Sequence, residues 1–178
     1  MTRARPLLAL FTLFTVAVIP RTASPAFISY DLTGTWTGKV TCSDLVAGRK
    51  QKDVFDLTMH VTQVGLNFGL TIDFGPGPQL YAGLANPDAK KPEQKGEAAI
   101  IVCGTNDVLG DAVDEIGRMA VATKPDKVKA AFKGVSIFSQ LANPSPTHGT
   151  CKWKFTRTDQ VDANVPTECP SSIVRGAR

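Results

Sequence analysis

Two histidines, His60 and His148, limit the metal chemistry that this chain of 178 residues could perform. A zinc site takes three or four ligands, mainly cysteine and histidine side chains. We interpret His60 as an exposed strand residue and His148 as a surface residue of a proline-rich loop. The sequence therefore predicts no metal site and no cofactor.

Four carboxylates, Asp107, Asp111, Asp114 and Glu115, lie close together in the chain. Carboxylate oxygens are calcium ligands, but the spacing of these four does not match an EF-hand loop. We interpret the segment as a solvated acidic loop. The best helical candidate in the chain is one turn or two around Asp111 to Ile116, but six residues cannot form a stable helix alone.

The segment 134–138, Gly-Val-Ser-Ile-Phe, places a serine near a glycine. It lacks the second glycine and the strand-to-helix turn of a nucleophile elbow. The chain also has no phosphate-binding glycine loop and no dinucleotide fingerprint. We therefore expect that the protein is not an enzyme, since an enzyme would need a buried polar cluster that no pattern here indicates.

Residues 1–26 have the features of a secretory signal peptide: a basic start, an apolar run from Leu7 to Ile19, and small residues before Phe27. The apolar run is too short to span a bilayer as a helix, and no later segment is long enough. We predict a secreted or periplasmic protein with no membrane span, a barrel domain over 27–158 and a C-terminal tail over 159–178.

The charge balance argues against nucleic acid as a partner. The formal net charge is +4, and removing the three arginines of residues 1–26 leaves +1 for the rest of the chain. A nucleic-acid-binding domain presents a clustered basic surface. The remaining charges are scattered, so we expect no nucleic-acid binding.

Alternation of apolar and polar residues with a period of two predicts strands. One apolar set is Phe55, Leu57, Met59 and Val61, and a hairpin that pairs Val61 with Leu70 and Met59 with Ile72 puts two such sets on one face. The predicted fold is all-β, an eight-stranded antiparallel up-and-down β-barrel, with a β-sandwich as the alternative. The predicted strands are roughly 34–42, 54–63, 68–74, 79–84, 97–103, 117–123, 128–138 and 149–158.

The first and last strands hold the only tryptophans, Trp36 and Trp153. An antiparallel register that sets Cys42 opposite Cys151 also sets Trp36 opposite Arg157. Opposed cysteines approach disulfide distance.

An even number of cysteines behind a signal peptide favours two disulfides. The register favours Cys42–Cys151, which leaves Cys103–Cys169. The alternative is Cys42–Cys103 with Cys151–Cys169.

Gly34-Thr35-Trp36 on the first strand, with Arg157 on the last, resembles the lipocalins, and the run from Leu32 to Thr37 is similar to the opening of avidin-type barrels. The resemblance implies a calycin-like barrel with the arginine packed over the tryptophan. The Thr-Asp-Tyr segment of lipocalins is missing. The further tryptophans of an avidin pocket are missing too, so biotin is not an expected ligand.

Function is predicted from the barrel interior and from the long connections at one end. The first hypothesis is a small apolar ligand bound in the interior or at the mouth, and a protein partner at the long loops is the second. In that alternative, a packed barrel acts as a protein-interaction or inhibitor module. The oligomeric state is left open. The residues predicted to line a ligand site are Trp36, Phe55, Met59, Phe68, Leu70, Met119, Phe132 and Trp153.

Overall fold

The computed structural model describes residues 30–46, 48–75, 77–103, 113–124, 127–140 and 147–170. Eight antiparallel strands in chain order form a closed barrel, as the sequence predicts. The strands are β1 Gly34–Val46, β2 Arg49–Val64, β3 Asn67–Asp73, β4 Pro78–Pro87, β5 Lys95–Val102, β6 Val113–Lys124, β7 Lys127–Gln140 and β8 Thr147–Asp159. No helix among the described residues is long and apolar enough to cross a membrane.

The predicted registers are confirmed. Val61 pairs with Leu70 and Met59 pairs with Ile72 across β2 and β3. Cys42 pairs with Cys151 across β1 and β8. The same ladder pairs Trp36 with Arg157 and closes the barrel.

The strands are staggered around the barrel. Following paired residues once round the sheet leads from Gln63 to Asp53 on the same strand, a shift of ten residues along β2. A stagger of this kind requires strands tilted by roughly 35–45° and an interior that side chains can fill.

The two ends of the barrel differ. We call the end with the connections after β1, β3, β5 and β7 the mouth, and the opposite end the base. At the base, Trp36 is buried and its indole Nε1 donates to the carbonyl of Leu32 at 2.9 Å. Arg157 is only 3% exposed, and its guanidinium carbon lies 5.5 Å from the centroid of the Trp36 ring. The residues before β1 therefore help to close the base.

The segment after β8 lies against the outside of the barrel. Asp162 accepts a hydrogen bond from Thr62 on β2, and the amide of Val165 donates to the Thr62 hydroxyl at 2.8 Å. Gly69 on β3 lies directly under this segment, where a Cβ atom would be 1.9 Å from the carbonyl oxygen of Pro166. Only glycine therefore permits this close packing.

Both predicted disulfides are present. Cys42 is bonded to Cys151 on the closing strands, and Cys103 is bonded to Cys169. The second bond joins the end of β5 to the C-terminal segment, so that segment is fixed at both of its ends.

One prediction of local structure is wrong. The long connection expected after the first strand is short, because β1 extends to Val46 and β2 begins at Arg49. The helical candidate before Gly117 is a strand in its described part, since β6 begins at Val113. In both places the barrel continues through polar residues that lack an alternating apolar signal.

Candidate functional sites inside and outside the barrel

The middle and base of the barrel interior are packed with side chains. Trp36 and Phe132 meet edge-on with ring centroids 6.1 Å apart. The ring centroids of Trp153 and Tyr81 are 5.7 Å apart, also edge-on. The space beside the glycines of the inner wall is filled by neighbouring side chains, so no ligand can occupy it. A Cβ at Gly83 would be 2.2 Å from the Phe68 ring, and one at Gly134 would be 2.4 Å from the sulfur of Met119.

The structure places the predicted ligand residues in two groups. Seven of them are no more than 2% exposed and belong to the packed core, whereas Phe55 is half-buried nearer the mouth. The seven are Trp36, Met59, Phe68, Leu70, Met119, Phe132 and Trp153. The residues that a ligand could reach are therefore those around Phe55.

A buried polar cluster lies in the upper part of the interior, and sequence reasoning missed it. Glu115 is 9% exposed and sits on β6. Its carboxyl accepts a hydrogen bond from Ser136, whose oxygen accepts one from the indole Nε1 of Trp153 at 2.8 Å. Glu115 was predicted to be solvated, so that prediction is wrong. Asp114 is exposed as expected, and the loop predicted around Asp107 and Asp111 lies outside the described residues.

Tyr81 joins Glu115 to Gln79. Its hydroxyl donates to Glu115 Oε2 at 2.5 Å and lies 2.9 Å from the side-chain amide oxygen of Gln79. A phenol carries one proton, so Tyr81 cannot donate to both acceptors. The second contact is satisfied when the Gln79 amide turns its nitrogen toward Tyr81 or when Glu115 carries a proton. Burial raises the pKa of Glu115, although the hydrogen bonds from Ser136 and Tyr81 lower it.

Tyr81 is held in its neutral form. Burial raises its pKa well above the usual value, and the neighbouring Glu115 raises it further. A chain of hydrogen-bonded side chains therefore runs from half-buried Gln79 at the mouth to Trp153 in the core.

A second inward-facing acid lies near this cluster. Successive paired positions on β6, β7, β8 and β1 are Glu115, Phe138, Gly149 and Asp44. Gly149 leaves a gap that the Phe138 ring fills, since a Cβ there would be 2.8 Å from Phe138 Cε1. Among the described residues, Asp44 Oδ1 is the one buried side-chain oxygen or nitrogen without a hydrogen-bond partner. Such an atom costs about 1–3 kcal/mol unless a donor reaches it.

Apolar side chains surround these acids. Phe55 meets Phe74 edge-on with ring centroids 5.5 Å apart, and five apolar residues toward this end are only partly buried while packing on the core. We call these five the mouth ring: Phe55, Leu57, Phe74, Val102 and Phe138.

The two histidines lie at exposed positions on different strands. His60 is exposed and pairs with Thr71, as the sequence suggests, and a ring nitrogen lies 3.4 Å from the hydroxyl of Thr35. His148 is exposed at the start of β8. Within the described ranges, no three histidine, cysteine or acidic side chains are grouped to hold a metal ion.

The outer wall over β4 to β7 carries an exposed apolar surface. Ile101, Ile116 and Ile137 are directly paired across β5, β6 and β7, and they are 48%, 62% and 60% exposed. A concavity of about 990 Å³ on this wall is lined by Ile116 and Ile137 together with Leu84 and Val135. The outward positions of β8, β1 and β2 are mainly lysine, threonine and aspartate, although Val54 and Val64 on β2 are also exposed.

Comparison with protein-family models, curated proteins and solved structures finds no match. The resemblance to lipocalins therefore stays a prediction, and function has to be argued from the residues of this chain.

Proposed function

We propose that the protein is an exported, non-enzymatic binding protein that takes a small apolar amine at the mouth of the barrel. The observation that carries this proposal is the buried, unpartnered oxygen of Asp44 beside the half-buried Phe138. A ligand ammonium or N–H group would satisfy that oxygen, and the mouth ring would cover the apolar body of the ligand. Binding pockets commonly combine apolar walls with a few polar groups in this way.

The sign of the ligand charge follows from the groups that face inward at the mouth. The half-buried charged groups described there are the carboxylates of Asp44 and Asp53. The buried cation Arg157 lies at the opposite end and is occupied by backbone carbonyls. An amine is therefore favoured over a fatty acid or another anionic ligand.

The location at the mouth follows from the packing below it. The seven core residues named above leave the predicted interior site filled, and the two disulfides are compatible with an extracellular or periplasmic protein. The first sequence hypothesis placed the ligand in the interior or at the mouth, and the proposal keeps only the mouth.

A pair of probes of similar shape and opposite charge tests this proposal. We expect 1-naphthylmethylamine to bind with measurable affinity in a fluorescence titration at pH 7, and 1-naphthoate to bind at least tenfold more weakly. Asp44→Asn should weaken amine binding by tenfold or more, since a charge-assisted hydrogen bond is worth about 1.5–3 kcal/mol.

Asp56→Asn is the matched control, because Asp56 is an exposed carboxyl on the outer wall, paired with Lys39. It should leave amine affinity unchanged. Equal binding of both probes, or full affinity in the Asp44 variant, would contradict the proposal.

The packed interior also favours a second candidate function, a protein-interaction module. In that case neither naphthyl probe should saturate the mouth. The residues that contact the partner would then lie on the outside of the barrel or on its loops.

A further inference from the structure

We propose that the side of the barrel formed by β6, β7 and β8 binds the surface of an anionic lipid bilayer. The feature behind this proposal is an exposed aliphatic patch that borders a row of exposed lysines. The aliphatic residues are 47–62% exposed, and contiguous apolar patches mark interaction sites. We call the six residues the amphipathic side: Ile116 on β6, Lys133, Val135 and Ile137 on β7, and Lys152 and Lys154 on β8.

The strand registers bring together lysines that are far apart in the chain. Lys133 pairs with Lys154 across β7 and β8, and Lys154 pairs with Lys39 across β8 and β1. Like charges that lie directly opposite each other on a sheet are unfavourable. Among the described residues, Lys39 has a carboxylate partner in Asp56, whereas Lys133, Lys152 and Lys154 form no ion pair. An anionic surface would compensate this positive charge.

The aliphatic patch is continuous with the lysine row. Val135 pairs with Lys152 across β7 and β8 and with Arg118 across β7 and β6. Two residues further along β7, Ile137 pairs with Ile116. Surfaces that lie in the interface of a bilayer have this composition, because their apolar side chains enter the boundary between headgroups and acyl chains while lysines reach the headgroup phosphates.

Two acids also border the patch, and they do not cancel the lysines. Glu97 on β5 accepts a hydrogen bond from Arg118 Nε at 3.0 Å, so these two charges offset each other. Asp114 is exposed two residues before Ile116. The three unpaired lysines contribute +3 and Asp114 contributes −1, which leaves +2 on this side.

The combination of features selects the partner. A soluble polyanion would compensate the lysines but would leave the aliphatic residues in water, where their exposure is unfavourable. An anionic bilayer accounts for both. Contact through the side of the barrel leaves the mouth open, so a ligand could still enter there.

The number of lysines sets the expected strength. Each lysine held at an anionic surface strengthens binding by about fivefold, and the electrostatic part is screened by salt. Three lysines and three partly exposed aliphatic residues therefore predict reversible binding that depends on anionic lipid.

Co-flotation of residues 27–178 with vesicles tests the inference. We expect binding to phosphatidylcholine vesicles that contain about one third phosphatidylglycerol, and binding about tenfold weaker or less to phosphatidylcholine alone. Lys152→Gln with Lys154→Gln should weaken binding to the anionic vesicles by about tenfold or more. Lys50→Gln with Lys52→Gln is the matched control, since it removes the same charge from exposed positions on β2. This control should weaken binding by less than about threefold.

A second pair of variants tests the aliphatic part at constant charge. Ile116→Ser with Ile137→Ser should weaken binding to the anionic vesicles by about fivefold or more. Its near-ultraviolet circular dichroism should match the wild type, because both side chains are exposed. Val54→Ser, at a 54% exposed position on β2, is the control and should bind as the wild type does.

A fluorescent label reports which side touches the bilayer. Ile137→Cys labelled with an environment-sensitive dye should shift to the blue on anionic vesicles, and labelled Val54→Cys should not. Absence of binding, equal binding to both kinds of vesicle, or a larger effect of the β2 variants would overturn the inference. Binding to soluble polyphosphate that displaces the vesicles and is unchanged by the isoleucine variants would identify a soluble polyanion as the partner, and would overturn it too.

Discussion

Glu115 is the residue whose environment departs furthest from its sequence context. It lies beside acidic loop residues in the chain, but β6 turns its side chain into the barrel between Tyr81 and Ser136. The sequence could not show this, because a strand that begins within a polar segment has no apolar alternation to set its inward face. By contrast, the pairing of Trp36 with Arg157 was predictable, since alternation and the opposed cysteines fixed that register.

The raised pKa of Glu115 predicts a specific dependence of stability on pH. Because the folded state holds the proton more tightly than the unfolded state, the contribution of Glu115 to stability is fully present below the usual pKa of 4.5 and is lost as pH rises through the raised value. Glu115→Gln keeps a neutral side chain that can accept from Ser136 and donate to Tyr81. We expect this variant to lose that fall and to be at least as stable as wild type at pH 8.

Urea unfolding at pH 5, 6.5 and 8 measures this effect. Glu93→Gln, a substitution of the same chemistry at an exposed position, is the control and should follow the wild-type profile. A Glu115→Gln variant that is less stable at pH 8 than at pH 5, by the same amount as wild type, would show that Glu115 does not control the profile.

Arg157 is the second residue whose substitution should change the stability of the fold. Its guanidinium donates to the carbonyls of Val128, Asp31 and Thr33 at 2.7, 2.8 and 3.1 Å. Arg157→Gln would leave some of these buried acceptors unsatisfied and remove the contact with Trp36. We expect a loss of about 3 kcal/mol in the free energy of unfolding.

The matched control for Arg157 is Lys154→Gln, which removes an exposed charge from the same strand. It should change stability by less than about 0.5 kcal/mol. Equal effects in the two variants would mean that the base is not held by Arg157.

At the scale of elements, the sequence predicts the parts of the strands that have one buried face. The predicted strands end too early where neither face is clearly apolar. The first hairpin shows the reason. β2 begins at Arg49, but its first residues are exposed and polar, so only the part from Val54 onward alternates clearly. The barrel extends these strands by cross-strand hydrogen bonding, which does not depend on side-chain type. The number and order of the strands and the registers of the β1–β8 and β2–β3 pairs were therefore predictable, whereas several strand ends were not.

The attachment of the C-terminal segment to the barrel should depend on the Cys103–Cys169 disulfide. The Cys103–Cys169 bond closes a loop with a sequence separation of 66, and such a loop is worth up to about 4 kcal/mol in the chain-entropy account. We expect Cys103→Ala with Cys169→Ala to release the segment. Hydrogen exchange should then accelerate at the Val165 amide and much less at the β1–β8 ladder.

The control for this pair is Cys42→Ala with Cys151→Ala, which removes the other disulfide and leaves the C-terminal segment attached. The Val165 amide should keep its protection in that variant. Protection of Val165 that survives loss of the Cys103–Cys169 bond would show that the contact with Thr62 alone holds the segment.

At the scale of the whole molecule, the sheet separates two different surfaces. The mouth carries inward-facing acids and aromatic rings, and the exposed apolar wall over β4 to β7 lies on the other side of the sheet. We therefore expect Ile116→Lys on the outer wall to leave amine affinity unchanged, whereas Asp44→Asn at the mouth weakens it. The naphthylamine titration, applied to both variants, checks this difference.

The measurement that tests the proposed function most directly is where a bound apolar amine lies. Nuclear Overhauser contacts between the naphthyl protons of 1-naphthylmethylamine and the protein report this position in solution. We predict contacts to Phe138 and Phe74 at the mouth and none to Ile116 or Val135. Contacts to those outer residues, or no saturable contact at the mouth, would contradict the proposal.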